Sequence, residues 1–334
     1  MQTDRQRHTI DLSDHGDSAG REAEKPTDIP GRGWKAIIKR VKVGLKNNHT
    51  SLLAAGVAFK SLLALFPSIV AVVTIWGLVA SPQEITRQVA GFTSALPRDA
   101  ANLLERQMSQ VASTSTRTLS IALAVSVLLA LWSASGGMTG LMEACTAAYD
   151  EVDTRRFPVK RGIALLLTVG AVVFVLLSLA LIAVLPAVLG SIGLASRAET
   201  IINIGKWVLL AVLVMAAVAV VFKYAPDRER ALMRWVTPGA VIATVLWLIG
   251  SALFTVYVNN LGKFGETYGS FAGIVVLMLW LFLTAYVVLL GAQINAEIER
   301  QTATDTTVGN ARSMGQRGAR PADRTPEHFD SPRA

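Results

Sequence analysis

Six long apolar blocks, separated by short polar or basic stretches, set the pattern of this chain. The first runs from Ser51 to Ala80 and carries a single charge, Lys60. About 20 apolar helical residues cross a hydrocarbon core, so this block spans a bilayer with length to spare. Five more follow at residues 119–142, 162–189, 201–222, 236–258 and 271–292. The pattern predicts an all-α, polytopic membrane protein with six transmembrane helices in one bundle over residues 34–300.

Two other segments show the same three-to-four spacing with polar faces. In the stretch from Trp34 to His49, the residues Trp34, Ile37, Ile38, Val41 and Leu45 lie opposite Lys35, Lys39, Arg40, Lys42 and Lys46. This is an amphipathic helix, suited either to lying on an anionic leaflet or to packing against the rest of the protein. Residues 81–118 predict two short amphipathic helices in the first external loop, with apolar positions Ile85, Val89 and Phe92, then Leu103, Leu104, Met108 and Val111. The polar tails, 1–33 and 301–334, read as disordered.

Small residues mark where helices approach one another. Gly136, Gly140, Ala144 and Ala148 follow Trp132 along one i, i+4 row, which favours close packing. A second row joins Gly239, Ala243, Trp247, Ser251, Thr255 and Asn259 into a seam expected to face the bundle. Pro67 removes a backbone donor near the middle of the first span.

Composition agrees with this pattern: 52% of the 334 residues are hydrophobic and 17% are charged. The net charge of +8 lies in loops and tails, where topology and lipid headgroups explain it better than nucleic acid does. Lys and Arg number six in 32–46, four in 143–161 and four in 223–235, against one each in 190–200 and 259–270. The long 81–118 connection has four, spread among three acids. The positive-inside bias therefore places both termini in the cytoplasm, as six crossings require. Residues 1–33 hold seven acidic residues and no apolar run, so the first span is expected to serve as the insertion signal.

Candidate chemistry is sparse. Cys145 is the single cysteine, and no CxxC, HxH or nucleotide-loop spacing occurs, so neither metal nor cofactor is expected. A nuclease needs an acid and base or a metal at the scissile phosphate. Three of the four histidines, His8, His15 and His328, fall in the tails and His49 stands alone, so no enzyme is expected. The better candidate is a polar cluster toward the inner rim: Lys60, Glu143, Gln293, Asn295 and Glu297. An intramembrane lysine costs about 2.5–3.5 kcal/mol at mid-span, and Lys60 lies about 14 Å along the helix from Ser51. Either it snorkels along its stem or sits in a structural ion pair, or it handles a charged ligand and pairs with Glu143 or Glu297 when the site is empty.

The runs AAGVAFKSLLALFP, WSASGGMTGLMEACTAAYDEVDTRRF, YAPDRERALMRWVTPGAVIATVLW and YGSFAGIVVLMLWLFLTAYVVLLGAQINAEIE together resemble the YihY/BrkB family of bacterial inner-membrane proteins, once labelled ribonuclease BN. The resemblance implies a six-helix bundle with cytoplasmic termini, links to the envelope and virulence, and a transport role. Three positions depart from the family pattern: Lys60 replaces an aromatic, Thr146 an Asn and Gln293 a Glu. The reading favoured here is transport or flipping of a lipid-linked or anionic envelope component. A non-transporting envelope scaffold and a tRNA-processing ribonuclease are the alternatives. Membrane lipids are the expected partners, and the sequence sets no oligomeric state.

Overall fold

A computed structural model describes residues 19–77, 119–184, 196–260, 271–324 and 326. The described residues are helical, with no strand and one isolated antiparallel bridge between Ala231 and Thr307. The long helices are α1 (Gly31–Asn47), α2 (Thr50–Gly77), α3 (Leu119–Ala148), α4 (Phe157–Leu179), α5 (Ser196–Tyr224), α6 (Met233–Asn260) and α7 (Ala272–Gln301). A π-helical turn, Ala180–Val184, continues α4. Among the described residues, four stretches are long and apolar enough to cross a membrane: Phe157–Ile182, Gly205–Tyr224, Met233–Asn259 and Ala272–Gln301. The amphipathic helices expected at 81–118 lie outside the described residues.

Local chemistry sets the helix boundaries. Pro158 starts α4, its fixed φ suiting a first turn where no backbone donor is needed. At the end of α3, Asp150 N–H bonds Ala147 O at 2.9 Å and Glu151 N–H bonds Thr146 O at 3.0 Å. With Asp150 at φ 59°, these bonds form a Schellman ending. His49, at φ 48°, likewise turns the chain between α1 and α2. Helix α2 runs on through Pro67, and next to it Ser68 Oγ donates to Ala64 O at 2.7 Å.

Neighbouring helices pack in chain order from α2 to α7, and α7 returns to α2 to close the ring. Helix α7 also touches α1 and α3. The apolar core gathers Ala54, Met142, Ala144, Ala148, Phe222, Ala240, Ala243 and Ala292. A satellite core joins Ile37 and Val41 of α1 to Trp235 and Ile298. Helix α1 buries Gly33, Ile37, Val41 and Gly44 and leaves Lys35, Lys39, Lys42 and Lys46 exposed. It packs against the protein, and its basic face remains open.

The small-residue rows are used unevenly. Gly239 and Gly291 let α6 and α7 meet backbone to backbone, for a Cβ on Gly291 would lie 2.8 Å from both Ala243 Cβ and Gly239 O. Trp247 adds an Nε1–H bond to Thr284 Oγ1 at 3.0 Å and an edge contact with Trp280. The expected seam does not extend to Thr255, which is exposed and bonds back to Ser251 O on its own helix. Ser251 Oγ is buried without a hydrogen-bond partner. On α3, Gly137 and Gly140 abut α2, whereas a Cβ on Gly136 would meet nothing within 4 Å. The contact row is therefore 137, 140, 144 and 148, and Gly136 lies to one side of it.

Residues 302–324 overturn the expectation of a disordered tail for that stretch. They bond to the α5–α6 connection through Leu232 N–H to Thr306 O, Val308 N–H to Arg230 O and Glu229 N–H to Gly318 O. Arg317 is buried and donates to the carbonyls of Ala303, Thr304, Arg312 and Ala322. Residues 19–23 are likewise tied down, with Ala303 N–H bonding Arg21 O at 2.7 Å. Composition suggests disorder because these stretches are poor in apolar residues, yet main-chain carbonyls gathered around one guanidinium order them instead.

Gly291→Ala should cost about 1–3 kcal/mol by overpacking the α6–α7 crossing. Gly136→Ala should be neutral or stabilise by up to about 1 kcal/mol, because it adds helix propensity in open space. Thermal unfolding in detergent micelles checks both.

Candidate functional site

The polar residues at the α1 end of the bundle separate into two networks. The first is open. Lys60 lies over Gly140, where a Cβ would come within 2.5 Å of its Cδ, and its Nζ reaches Glu143 Oε2 at 2.8 Å. Glu143 also holds Lys160 at 2.9 Å, and Lys160 holds Asp153 at 3.0 Å. The chain of charges continues through Arg155 to Asp153 at 3.1 Å and to Asp227 at 3.5 Å. The Lys60 and Glu143 side chains remain 46% and 43% exposed, so their pairing is reversible in character.

The second network is closed. On α7, Glu297 accepts from Arg40 Nε at 2.9 Å, Arg300 NH1 at 2.5 Å and Gln293 Nε2 at 3.2 Å. Two residues on, about 200° around the helix, Glu299 takes a two-pronged bond from Arg228 at 3.1 and 2.6 Å and a third from Thr306 at 3.0 Å. Both carboxylates are fully buried. Burial works against the charge on Arg228, but Glu299 outweighs it and raises the guanidinium's pKa. Arg228 also stacks on Tyr149, its Cζ 4.9 Å from the ring centroid. The Tyr149 phenol is held well above its usual range by burial and by the Glu299 charge.

The sequence-predicted residues divide accordingly. Lys60 meets Glu143 and not Glu297, whose partners are Arg40 and Arg300. Gln293 bonds Asn48 at 3.0 Å and fits against Gly44, which makes it a link between α1 and α7. Asn295 accepts from Gly239 N–H at 2.7 Å and donates to Val236 O at 2.9 Å. These bonds bracket Pro238, which has no N–H of its own, so Asn295 serves the backbone of α6. Thr146 accepts a bond from Asp227 N–H at 3.2 Å. Sequence reasoning misses Arg40, Lys160, Arg161, Arg228 and Arg300 as partners. The signal of the first four is present only as basic flanks, which topology alone is enough to explain, and Arg300 lies in the last turn of α7.

The Virulence factor BrkB family matches residues 41–315. The chain belongs to that family. It is 30% identical over 254 residues to the ribonuclease-like protein YfkH of Bacillus subtilis, covering 74% of this chain and 90% of that one. Shorter matches join it to UPF0761 membrane proteins: 32% over 71 residues in Psychromonas ingrahamii, covering 21% and 24% of the two chains, and 38% over 60 residues in Tolumonas auensis, covering 18% and 20%. No solved structure matches. This BrkB-family chain is thus a multi-pass membrane protein, and the match from residue 41 to 315 takes in nearly all of both charge networks.

Arg228→Ala in this BrkB-family protein should strip Glu299 of its cation and cost about 3–5 kcal/mol; the yield of monodisperse protein and its thermal midpoint check it. The C-terminal fold should resist acid. Burial pushes Asp305 up, but the N–H groups of Arg312 and Thr307 and the Arg317 charge outweigh this and hold its carboxyl below the usual range. The stability it adds is present above the unfolded value of about 3.9 and is lost only as pH falls through the lower folded value. Hydrogen exchange of residues 302–324 should therefore be equally slow at pH 7 and pH 5 after correction for intrinsic rates. Protection should fall only below about pH 3.9.

Proposed function

We propose that this protein moves a lipid-linked or anionic component of the bacterial envelope across the inner membrane. In this reading α2 to α7 each cross the membrane, so that both terminal segments and both charge networks face the cytoplasm. The excess of Lys and Arg in 32–46, 143–161 and 223–235 supports this orientation. The observation that carries the reading is the Lys60–Glu143 pair. It lies about 15 Å along α2 from Thr50, remains nearly half exposed, and sits beside the exposed apolar residues Phe59 and Leu63. An ammonium and a carboxylate kept at that depth, yet not enclosed, suit an anionic headgroup passing along an otherwise apolar surface.

We read the chain as a non-enzyme, although the Bacillus subtilis relative carries the words ribonuclease-like in its name. Its carboxylates Glu297 and Glu299 are fully buried and each held by guanidinium groups, which keeps them from reaching a scissile phosphate. A non-transporting scaffold is the second reading, favoured by the enclosed Arg40–Glu297–Arg300 and Arg228–Glu299 pairs.

Proteoliposomes carrying a fluorescent phosphatidylglycerol and exposed to a membrane-impermeant quencher test the proposal. Wild-type protein should speed loss of inner-leaflet fluorescence over protein-free vesicles, and Lys60→Met should cut that rate by about fivefold or more, the effect of about 1 kcal/mol per lost cation. Equal rates in wild-type and empty vesicles would favour the scaffold.

A further inference from the structure

Beyond the Lys60–Glu143 pair, the structure brings two more cations to the same exposed face. Lys160 shares Glu143 from the first turn of α4. Arg161 lies 4.3 Å from the centroid of Trp132 and donates to the Trp132 carbonyl. Its Nε is buried without a hydrogen-bond partner. No side chain caps the α4 N-terminus, where the N-cap residue is Arg156. Lys60, Lys160 and Arg155 thus pair with three carboxylates, Glu143, Asp153 and Asp227, while the contacts of Arg161 are with Trp132. One positive charge is left over, and one acid, Glu143, serves two lysines.

The surroundings specify an amphiphile. Phe59, Leu63, Trp132, Phe157 and Val159 are all exposed around the cations, and Gly136 leaves open space on the same face of α3. An occupant that satisfies both parts needs a compact anion joined to hydrocarbon. A neutral lipid would leave Lys60 and Lys160 with Glu143 and Asp153.

We propose that Lys60, Lys160 and Arg161 seat the phosphate of one anionic glycerophospholipid, with Glu143 as the internal counter-ion that the phosphate displaces from the lysines. The acyl chains lie along the exposed apolar face of α2, α3 and α4. This deepens the transport reading by naming the ligand class, and rests on that reading only for the movement of the lipid once bound. When the seat is empty, Glu143 bridges Lys60 and Lys160. When it is filled, both ammonium groups turn to the phosphate, and Asp153 retains its bonds with Arg155.

Native mass spectrometry of the full detergent-solubilised chain, titrated with phosphatidylglycerol or phosphatidylcholine, tests the seat. Wild-type protein should retain one phosphatidylglycerol in preference to phosphatidylcholine. Lys60→Ala with Lys160→Ala should weaken that binding by about 25-fold, at about fivefold per lysine. The charge-matched control Lys25→Ala with Arg312→Ala should bind as wild type. Glu143→Gln should tighten binding by about fivefold, since it removes the competing carboxylate; a purely structural ion pair predicts no gain. Excess inorganic phosphate should not displace the lipid. Unchanged binding in the double lysine variant, equal retention of the two lipids, no gain in Glu143→Gln, or displacement by inorganic phosphate would each overturn the proposal. Lipid that binds here but is not moved in vesicles would leave this inference standing and remove the transport reading.

Discussion

A carboxylate sealed away from water must find its charge and hydrogen bonds inside the protein, and the charged end of this bundle is arranged around one such group, Glu297. Arg40 reaches it from α1, Arg300 and Gln293 reach it from within α7, and Arg40 goes on to bond Gln301 at 2.6 Å. Gln301 then donates to Ala19 O at 2.7 Å, and Thr302 to Ala23 O at 2.7 Å. One buried charge thereby holds α1, the segment before it, α7 and the segment after it. On the opposite side of the same helix, Glu299 does the same for Arg228 and Thr306.

This enclosed lattice explains why the open network beside it can remain open. Buried pairs with several donors per carboxylate are hard to break once formed, so they fix the positions of α1, α7 and the α5–α6 connection. The Lys60–Glu143–Lys160 bridge carries no such duty. It lies on the surface of α2, α3 and α4, its members have solvent-facing atoms, and exchanging one anion for another there leaves the lattice intact. The two networks adjoin in sequence at Asp227 and Arg228 but differ in exposure, and exposure separates a structural from an interactive role.

Much of the fold is legible because apolar blocks and small-residue rows are local signals. Gly140, Ala144, Gly239 and Ala243 lie where their spacing puts them, and Lys60 with Glu143 is one of two pairings that the pattern allows. The partners of Glu297 are not legible, since Arg40 is 257 residues away and its basic neighbours give a sufficient reason for its presence. Gln293 and Asn295 look like ligand groups because polar residues in an apolar helix usually signal function; their bonds to Asn48 and to the α6 backbone around Pro238 show the other use of such residues. The order of 302–324 is hidden for a similar reason. Composition reports how much apolar surface a segment can bury, and says nothing about carbonyls collected by an arginine such as Arg317.

The claim that Glu297 couples α1 to α7 is open to a direct measurement. A double-mutant cycle of Arg40→Met and Glu297→Gln, followed by reversible unfolding in mixed micelles, reads the interaction between the two side chains. The account predicts a coupling of about 1.5 kcal/mol or more, since the pair is buried and charge-assisted. Additivity within about 0.3–0.5 kcal/mol would show that the Arg40–Glu297 pair does not couple the two helices and would contradict it.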